Sequence, residues 1–166
     1  MDVINAILKR RSIRAFDKKQ ISNESVKNLL EAARWAPSGG NRQFWRFIEI
    51  RDQRRLSMIK VFSAGLKGDP TLIIAIGADI KEQLNLLDLG MAAENIMLEA
   101  VEMGLGSCAI ASFSEEPMKQ LLNMPKEMRI ILLISIGYPA EYPKPRPKKT
   151  LQEIAFSEKF GGELRI

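Results

Sequence analysis

Arg129-Ile130-Ile131-Leu132-Leu133-Ile134-Ser135-Ile136-Gly137 is the stretch that decides the fold. A short apolar run rich in β-branched residues, opened by a charge and closed by a glycine, reads as a strand covered on both faces. Such a strand lies inside a sheet with helices packed on either side, so the remaining chain has to supply more strands and their covering helices. Residues 71–77 repeat the apolar, partly β-branched pattern and give a second buried strand. The segments 45–50 and 107–112 give two further strands.

Between them lie the helices. Asp2 caps a short amphipathic helix carrying Ile4, Ile7 and Leu8 on one face. Ser22 caps a second, stapled by Ile21 and Val26, with Val26, Leu29, Leu30 and Ala33 as its buried stripe and Pro37 as its stop. Residues 52–62 are helical and more polar. From about Lys81 to Met103 a long helix carries Leu84, Leu87, Met91, Ala92, Asn95, Leu98 and Val101 near one face, and Gly104 fits its C-cap. Ser114 caps a short helix with Glu115 and Glu116 at the positive end of its dipole. A proline-rich loop, 138–147, follows the decisive strand and leads to a last short helix through Thr150 and Ile154. About four strands separated by helices predict a mixed α/β or α+β domain.

The chain of 166 residues fits one domain, residues 1–166, and its 46% hydrophobic and 27% charged composition is that of a globular protein. There is no histidine and one cysteine, Cys108, which excludes an intramolecular disulfide, a Ser-His-Asp or Cys-His catalytic unit and a soft-ligand metal cluster. The formal net charge of +5 suits an anionic partner. The N-terminus lacks the pattern of a signal peptide and the longest apolar run is too short to span a bilayer, so the expected location is cytoplasmic.

Four short stretches carry chemical potential. Arg10-Arg11-Ser12-Ile13-Arg14 places three guanidinium groups and a hydroxyl within five residues, a donor set matched to phosphate oxygens. Alone, the same residues also describe a solvated helix end. Ser38-Gly39-Gly40-Asn41-Arg42-Gln43 is a polar, glycine-rich turn between Trp35 and Trp45. Its backbone could approach a flat ligand, with Asn41 and Gln43 each offering a donor and an acceptor. Gly104-Leu105-Gly106-Ser107-Cys108-Ala109 spells a dinucleotide fingerprint in the wrong context: it follows a helix and enters a strand, so it reads as a cap with close packing. Lys144-Pro145-Arg146 holds two cations in a loop stiffened by Pro139, Pro143, Pro145 and Pro147. Asp88 and Glu94 lie six apart on the long helix and read as solvated or capping groups.

The succession of Arg10–Arg14, then Ala36-Pro37-Ser38-Gly39-Gly40-Asn41-Arg42-Gln43-Phe44-Trp45, then Gly104-Leu105-Gly106-Ser107-Cys108, then Gly137-Tyr138-Pro139 with Lys144 and Arg146, closely resembles the FMN-dependent nitroreductase family. The resemblance runs from about Asp2 to Ile154. It implies an α+β fold with a central mixed, mainly antiparallel sheet flanked by helices, in an intertwined homodimer with FMN at the interface. It also implies roles. Arg10, Arg11, Ser12 and Arg14 hold the phosphate and ribityl chain, and Lys144 and Arg146 help neutralise the phosphate. Pro37, Ser38 and Gly39, supported by Asn41 and Gln43, approach the isoalloxazine from the partner subunit, and Ile110, Ala111 and Ser112 bring a backbone amide to flavin N5. The chemistry is then carried by FMN with no catalytic side chain and no metal. NADH or NADPH serves as donor, and a nitroaromatic, quinone or related electron-poor molecule as acceptor, in a ping-pong reaction. Phe44 replaces a proline common in the family, and the short region 51–70 reduces the substrate-side excursion of longer relatives. Two other readings compete: an FMN enzyme with specialised chemistry, such as dehalogenation, flavin fragmentation or substrate oxidation, and a basic module binding a polyanion. The aromatics do not alternate with basic residues as a nucleic-acid platform requires, and neither nucleic acid nor membrane is an expected partner.

Overall fold

A computed structural model describes residues 1–79 and 84–166. Four strands form one sheet: β1 (Trp45–Ile50), β2 (Leu72–Ala78), β3 (Gly106–Ile110) and β4 (Arg129–Gly137), in the order β1-β2-β4-β3. The two runs read as doubly covered are the two inner strands. Every pairing between these strands is antiparallel. The expected mixed sheet is corrected accordingly: the one parallel feature among the described residues is an isolated bridge from Ser12 to Ser107. The connections through the helices Gln53–Phe62 and Glu115–Leu121 return the chain to a neighbouring strand, and the one through the helix Leu84–Glu102 carries it from β2 past β4 to β3, which leaves β4 antiparallel to both.

Both faces are covered, as expected. On one, Leu72, Ile74, Ile76, Ala78, Ile134 and Ile136 meet α2 (Asn23–Arg34) and α4 (Leu84–Glu102). On the other, Ile73, Ala75, Ile130 and Leu133 meet α3 (Gln53–Phe62) and α5 (Glu115–Leu121). Ile76 pairs with Leu132 and Gly77 with Ile130, so Ile131 has no partner and bulges from β4. The bulge lets Ile131 and Leu132 both pack on the α2/α4 side.

The helix caps follow local chemistry. Asp2 accepts the Asn5 amide at the start of α1 (Val3–Lys9), Ser22 accepts that of Ser25, and Asp52 that of Arg55. Ser114 precedes α5 but makes no side-chain cap; its amide instead donates to the Phe62 carbonyl at 2.8 Å. A final turn, α6 (Leu151–Ile154), carries a capping box of Thr150 and Glu153.

The long helix departs from its expected stripe. Its buried side is Asp88, Leu89, Ala92, Ala93, Ile96, Met97 and Ala100, while Leu87 and Met91 are exposed. The helix is apolar nearly all round, so spacing alone does not choose the inner face; the alanines do, by letting α2 approach closely. Asn95 ties the two helices by donating to the Ala32 carbonyl at 3.0 Å. The expected start near Lys81 and the Leu84 side chain lie outside the described residues. Gly104, at φ +70°, ends the helix as expected.

Past α1 the chain crosses the ends of β3 and β4. The Ile13 amide donates to the Ser107 carbonyl, the Asp17 amide to that of Tyr138, and the Ala140 amide to that of Ala15. Gly106 and Gly137 face each other across the β3–β4 ladder. A Cβ on Gly106 would stand 2.7 Å from Ile13, and one on Gly137 2.8 Å from Phe16. The glycine-rich stretch after α4 is therefore a packing device, as its reversed context predicted. Gly106→Ala should cost about 1–3 kcal/mol of unfolding free energy in urea denaturation, because the new methyl must displace the buried Ile13.

Candidate functional site

The crossing segment delivers the basic pentapeptide to the side of the proline-rich loop. Residues 141–150 run without a turn or bend. Tyr142, Lys144 and Arg146 each precede a proline, which disfavours helical backbone, and Pro143, Pro145 and Pro147 have fixed φ, so the path is extended. The two stretches, some 130 residues apart, enclose a cleft of about 490 Å³ lined by Arg10, Arg11, Ser12, Arg14, Lys144, Arg146 and Lys148, with Ile7, Leu8, Pro143 and Pro145 as apolar wall and Glu94 as the sole acid.

Each arginine of the pentapeptide is held differently. Arg11 Nη1 donates to the carbonyls of Leu8 and Arg10 at 2.7 Å each, capping α1. Arg10 Nε stands 3.2 Å from a Glu94 carboxylate oxygen. Both partners are partly exposed, so this pair adds roughly 0–1 kcal/mol and serves mainly to orient the guanidinium. The Arg14 amide donates to Glu141 at 2.6 Å and its Nη1 to the Ser12 carbonyl at 3.3 Å, leaving most of that guanidinium open. Behind it, Gly68 at φ +68° abuts the Arg14 carbonyl so closely that a Cβ would lie 2.2 Å from it. The short region 51–70 thus buttresses the pentapeptide. Gly65 does the same for residues 110–112, since a Cβ there would stand 2.9 Å from Ile110 and 3.2 Å from Ser112.

The remaining expected site residues lie outside this cleft. In the turn, Gly40, Asn41 and Gln43 have φ of 60°, 55° and 46°. Gln43 donates through its amide to Ser38 Oγ at 3.2 Å and through Nε2 to Asn41 Oδ1 at 3.0 Å. The Gly39 amide donates to Asp88 Oδ2 at 2.9 Å, and Asp88 is only 6% exposed. Of the two roles expected for these acids, Asp88 takes the capping one, as the buried anchor of the turn, and Glu94, 44% exposed, is the cleft's acid; α4 passes under the turn and then under the pentapeptide. Pro37 is exposed beside it. β3 ends at Ile110, two residues earlier than expected, because the Ser112 carbonyl is taken by the Gly65 amide and Ser63 Oγ. Ile110 is buried, while Ala111 and Ser112 are exposed.

The two tryptophans part company. Trp45 is core, stacked loosely with Phe44 and Phe47, and Phe44 is a half-buried member of that cluster. Trp35 is 73% exposed, with its indole N–H on Glu31 and the Arg34 guanidinium 5.2 Å from its ring. Hydrogen bonds from Arg34 and then Trp35 hold the Glu31 carboxyl down to about 2. Glu115 is lowered by Arg129 and Glu153 by the Thr150 amide, and none of these three carboxylates lines the cleft.

The donor chemistry of the cleft fits a phosphate. Planar forks on Arg10, Arg14 and Arg146 and ammonium groups on Lys144 and Lys148 surround a space of the right size for a phosphate with part of its carrier. Ser107, whose carbonyl anchors Ile13, also keeps a buried hydroxyl without a partner among the described residues. Lys148 was missed from sequence although it continues the alternation with proline that marked Lys144 and Arg146.

Fold and cleft define an α+β protein with a strongly basic cleft beside its sheet. The nitroreductase family model matches residues 7–67 and 58–138. An Archaeoglobus fulgidus protein, provisionally named an NADH dehydrogenase/NAD(P)H nitroreductase, is 33% identical over 151 residues, covering 84% of this chain and 87% of its own. A Bacillus subtilis FMN reductase (NADPH) is 27% identical, covering 92% and 72%. The solved structure of an FMN-dependent nitroreductase from Clostridium difficile superposes with a TM-score of 0.84 at 28% identity, covering 94% of this chain and 99% of that one. The chain belongs to the nitroreductase family and is an oxidoreductase of that family. Among the described residues no helix is long and apolar enough to cross a membrane.

Asp88→Ala should destabilise the protein by about 1–3 kcal/mol and speed hydrogen exchange at the Gly39 amide, which would lose its acceptor. Asp88→Asn, which keeps an acceptor oxygen, should lose less in both measurements.

Proposed function

We propose that the protein is an FMN-dependent oxidoreductase that uses NADH or NADPH to reduce nitroaromatic, quinone or related electron-poor acceptors by a ping-pong mechanism. The observation that carries this reading is the cleft in which the pentapeptide and the Lys144–Arg146 loop converge. The names of the Bacillus subtilis and Clostridium difficile relatives point to the same cofactor.

In this reading Arg10, Arg14, Lys144 and Arg146 hold the terminal phosphate, Ser12 meets the adjoining ribityl chain, and Arg11 fixes the end of α1 beside them. Bound FMN supplies the redox chemistry, so the chain contributes position, charge and exclusion of water rather than an acid or base. The turn at 37–43 supplies backbone and the Asn41–Gln43 pair to the isoalloxazine across the subunit interface, and residues 110–112 supply a backbone amide to flavin N5. A second copy is supported by the apolar surface left open in one chain: Val3, Ile4, Ile7 and Leu8 on α1 and Leu86, Leu87 and Met91 on the adjacent α4 are all exposed. The compact 51–70 region, occupied in buttressing Arg14 and Ser112, offers no added substrate-reading segment. A broad acceptor range follows.

Freshly purified protein should be yellow, carry about one FMN per subunit, behave as a dimer by light scattering, and bleach on anaerobic addition of NADH or NADPH. A protein that stays colourless after incubation with FMN and dialysis refutes the reading. Arg14→Ala should weaken FMN binding at least about tenfold, the loss of one open charge-assisted contact, with the dimer intact.

A further inference from the structure

Glu141 opens the strip that carries Lys144 and Arg146, yet among the described residues its carboxylate makes no ion pair. It accepts instead the backbone amide of Arg14 at 2.6 Å. The bond extends a short ladder. The Asp17 amide donates to the Tyr138 carbonyl and the Ala140 amide to that of Ala15, so residues 14–17 and 138–141 run antiparallel. Beyond Ala140 no backbone bond joins the two segments among the described residues, and the side chain of Glu141 supplies the last tie. A bond from an N–H to an ionised carboxylate is about twice as strong as one to a neutral acceptor.

The tie falls on the one arginine of the pentapeptide whose guanidinium stays largely open. Arg11 is held at its tip by two carbonyls and Arg10 by Glu94. Arg14 has a single long contact at its tip, from Nη1 to the Ser12 carbonyl at 3.3 Å. What is fixed is its root: Glu141 takes the amide, and Gly68 closes on the carbonyl, where a Cβ would lie 2.2 Å away. A long side chain whose backbone is held from both sides has less freedom to lose when its fork meets an anion. A carboxylate beside an anion site also repels the anion. Glu141 therefore acts on binding with two opposite signs, which substitution can separate.

We infer that Glu141 is a positioning residue for Arg14: it sets the backbone at residue 14 so that the open guanidinium is presented to the cleft. The inference rests on the FMN reading above for the identity of the anion. It adds a residue that none of the sequence motifs includes.

The test titrates FMN, and riboflavin, which lacks the phosphate, into the flavin-stripped full chain and its variants. Glu141→Ala should weaken FMN binding about threefold to tenfold and leave riboflavin binding within about twofold of the wild type. Glu141→Gln keeps an acceptor oxygen and loses the charge, so it should bind FMN at least as tightly as the wild type. In an Arg14→Ala background, Glu141→Ala should no longer weaken FMN binding, because the group it positions is gone. Hydrogen exchange at the Arg14 amide should quicken in Glu141→Ala and stay near the wild-type rate in Glu141→Gln. Tighter FMN binding in both single variants makes Glu141 a repelling charge alone and overturns the inference. Unchanged binding in both, or an equal loss of FMN and riboflavin in Glu141→Ala, overturns it as well, and each of these results spares the FMN reading. No FMN uptake by the wild type overturns both.

Discussion

The structure depends on how closely the segment after α1 can lie against the sheet. Residues 12–17 run across the ends of β3 and β4, and the two residues beneath them, Gly106 and Gly137, have no side chains to hold off those of Ile13 and Phe16. Any Cβ there would lift Ile13 or Phe16. Because three backbone hydrogen bonds then lock the segment to residues 107, 138 and 140, the pentapeptide and the proline-rich loop are set beside each other with little freedom. An anion site assembled from segments so distant in sequence requires that degree of fixation, since cations brought together without a ligand repel and would otherwise spread into solvent.

The electrostatics follow from the packing. Four antiparallel strands and their helices bury almost wholly apolar surface, so charged groups have to appear at the margins, where most find partners: Arg129 with Glu115, Lys60 with Asp69, Arg51 with Glu49. Such exposed pairs contribute about 0–1 kcal/mol each and do little for stability. The cleft is where the balance is left unmade. Prolines at alternate positions keep Lys144, Arg146 and Lys148 on an extended strip in place of a flexible tail, which lowers the entropy lost when an anion binds.

The helix α4 joins the two halves of the proposed site within one chain. Asp88 receives the backbone of the 38–43 turn, and about 1.7 turns further on Glu94 orients Arg10. Its inner face packs on α2 through alanines, and its outer face, with α1, leaves the apolar surface that a second subunit would cover. The same helix therefore ties together the turn geometry, the proposed cofactor grip and the proposed assembly. A shift of α4 would be felt at all three.

Much was legible from the residues alone. The two inner strands announced themselves because a strand covered on both faces has almost no polar positions, and the caps at Asp2, Ser22 and Gly104 rest on chemistry local to a few residues. The family likeness, and with it the cation sets at 10–14 and 144–146, came from short ordered motifs. What the chain could not disclose was whatever depends on contacts between distant segments. An apolar-all-round helix does not reveal its inner face, so the stripe on α4 was misplaced and the choice between a solvated and a capping Asp88 stayed open. The antiparallel order of every strand pair is a matter of how the connections return. Gly65 and Gly68 looked like ordinary loop glycines until the backbones they touch were in view. By itself the sequence determined which residues could grip a phosphate; the tertiary structure decided that they meet in one cleft, because two missing side chains leave room for Ile13 and Phe16 against the β3–β4 ladder.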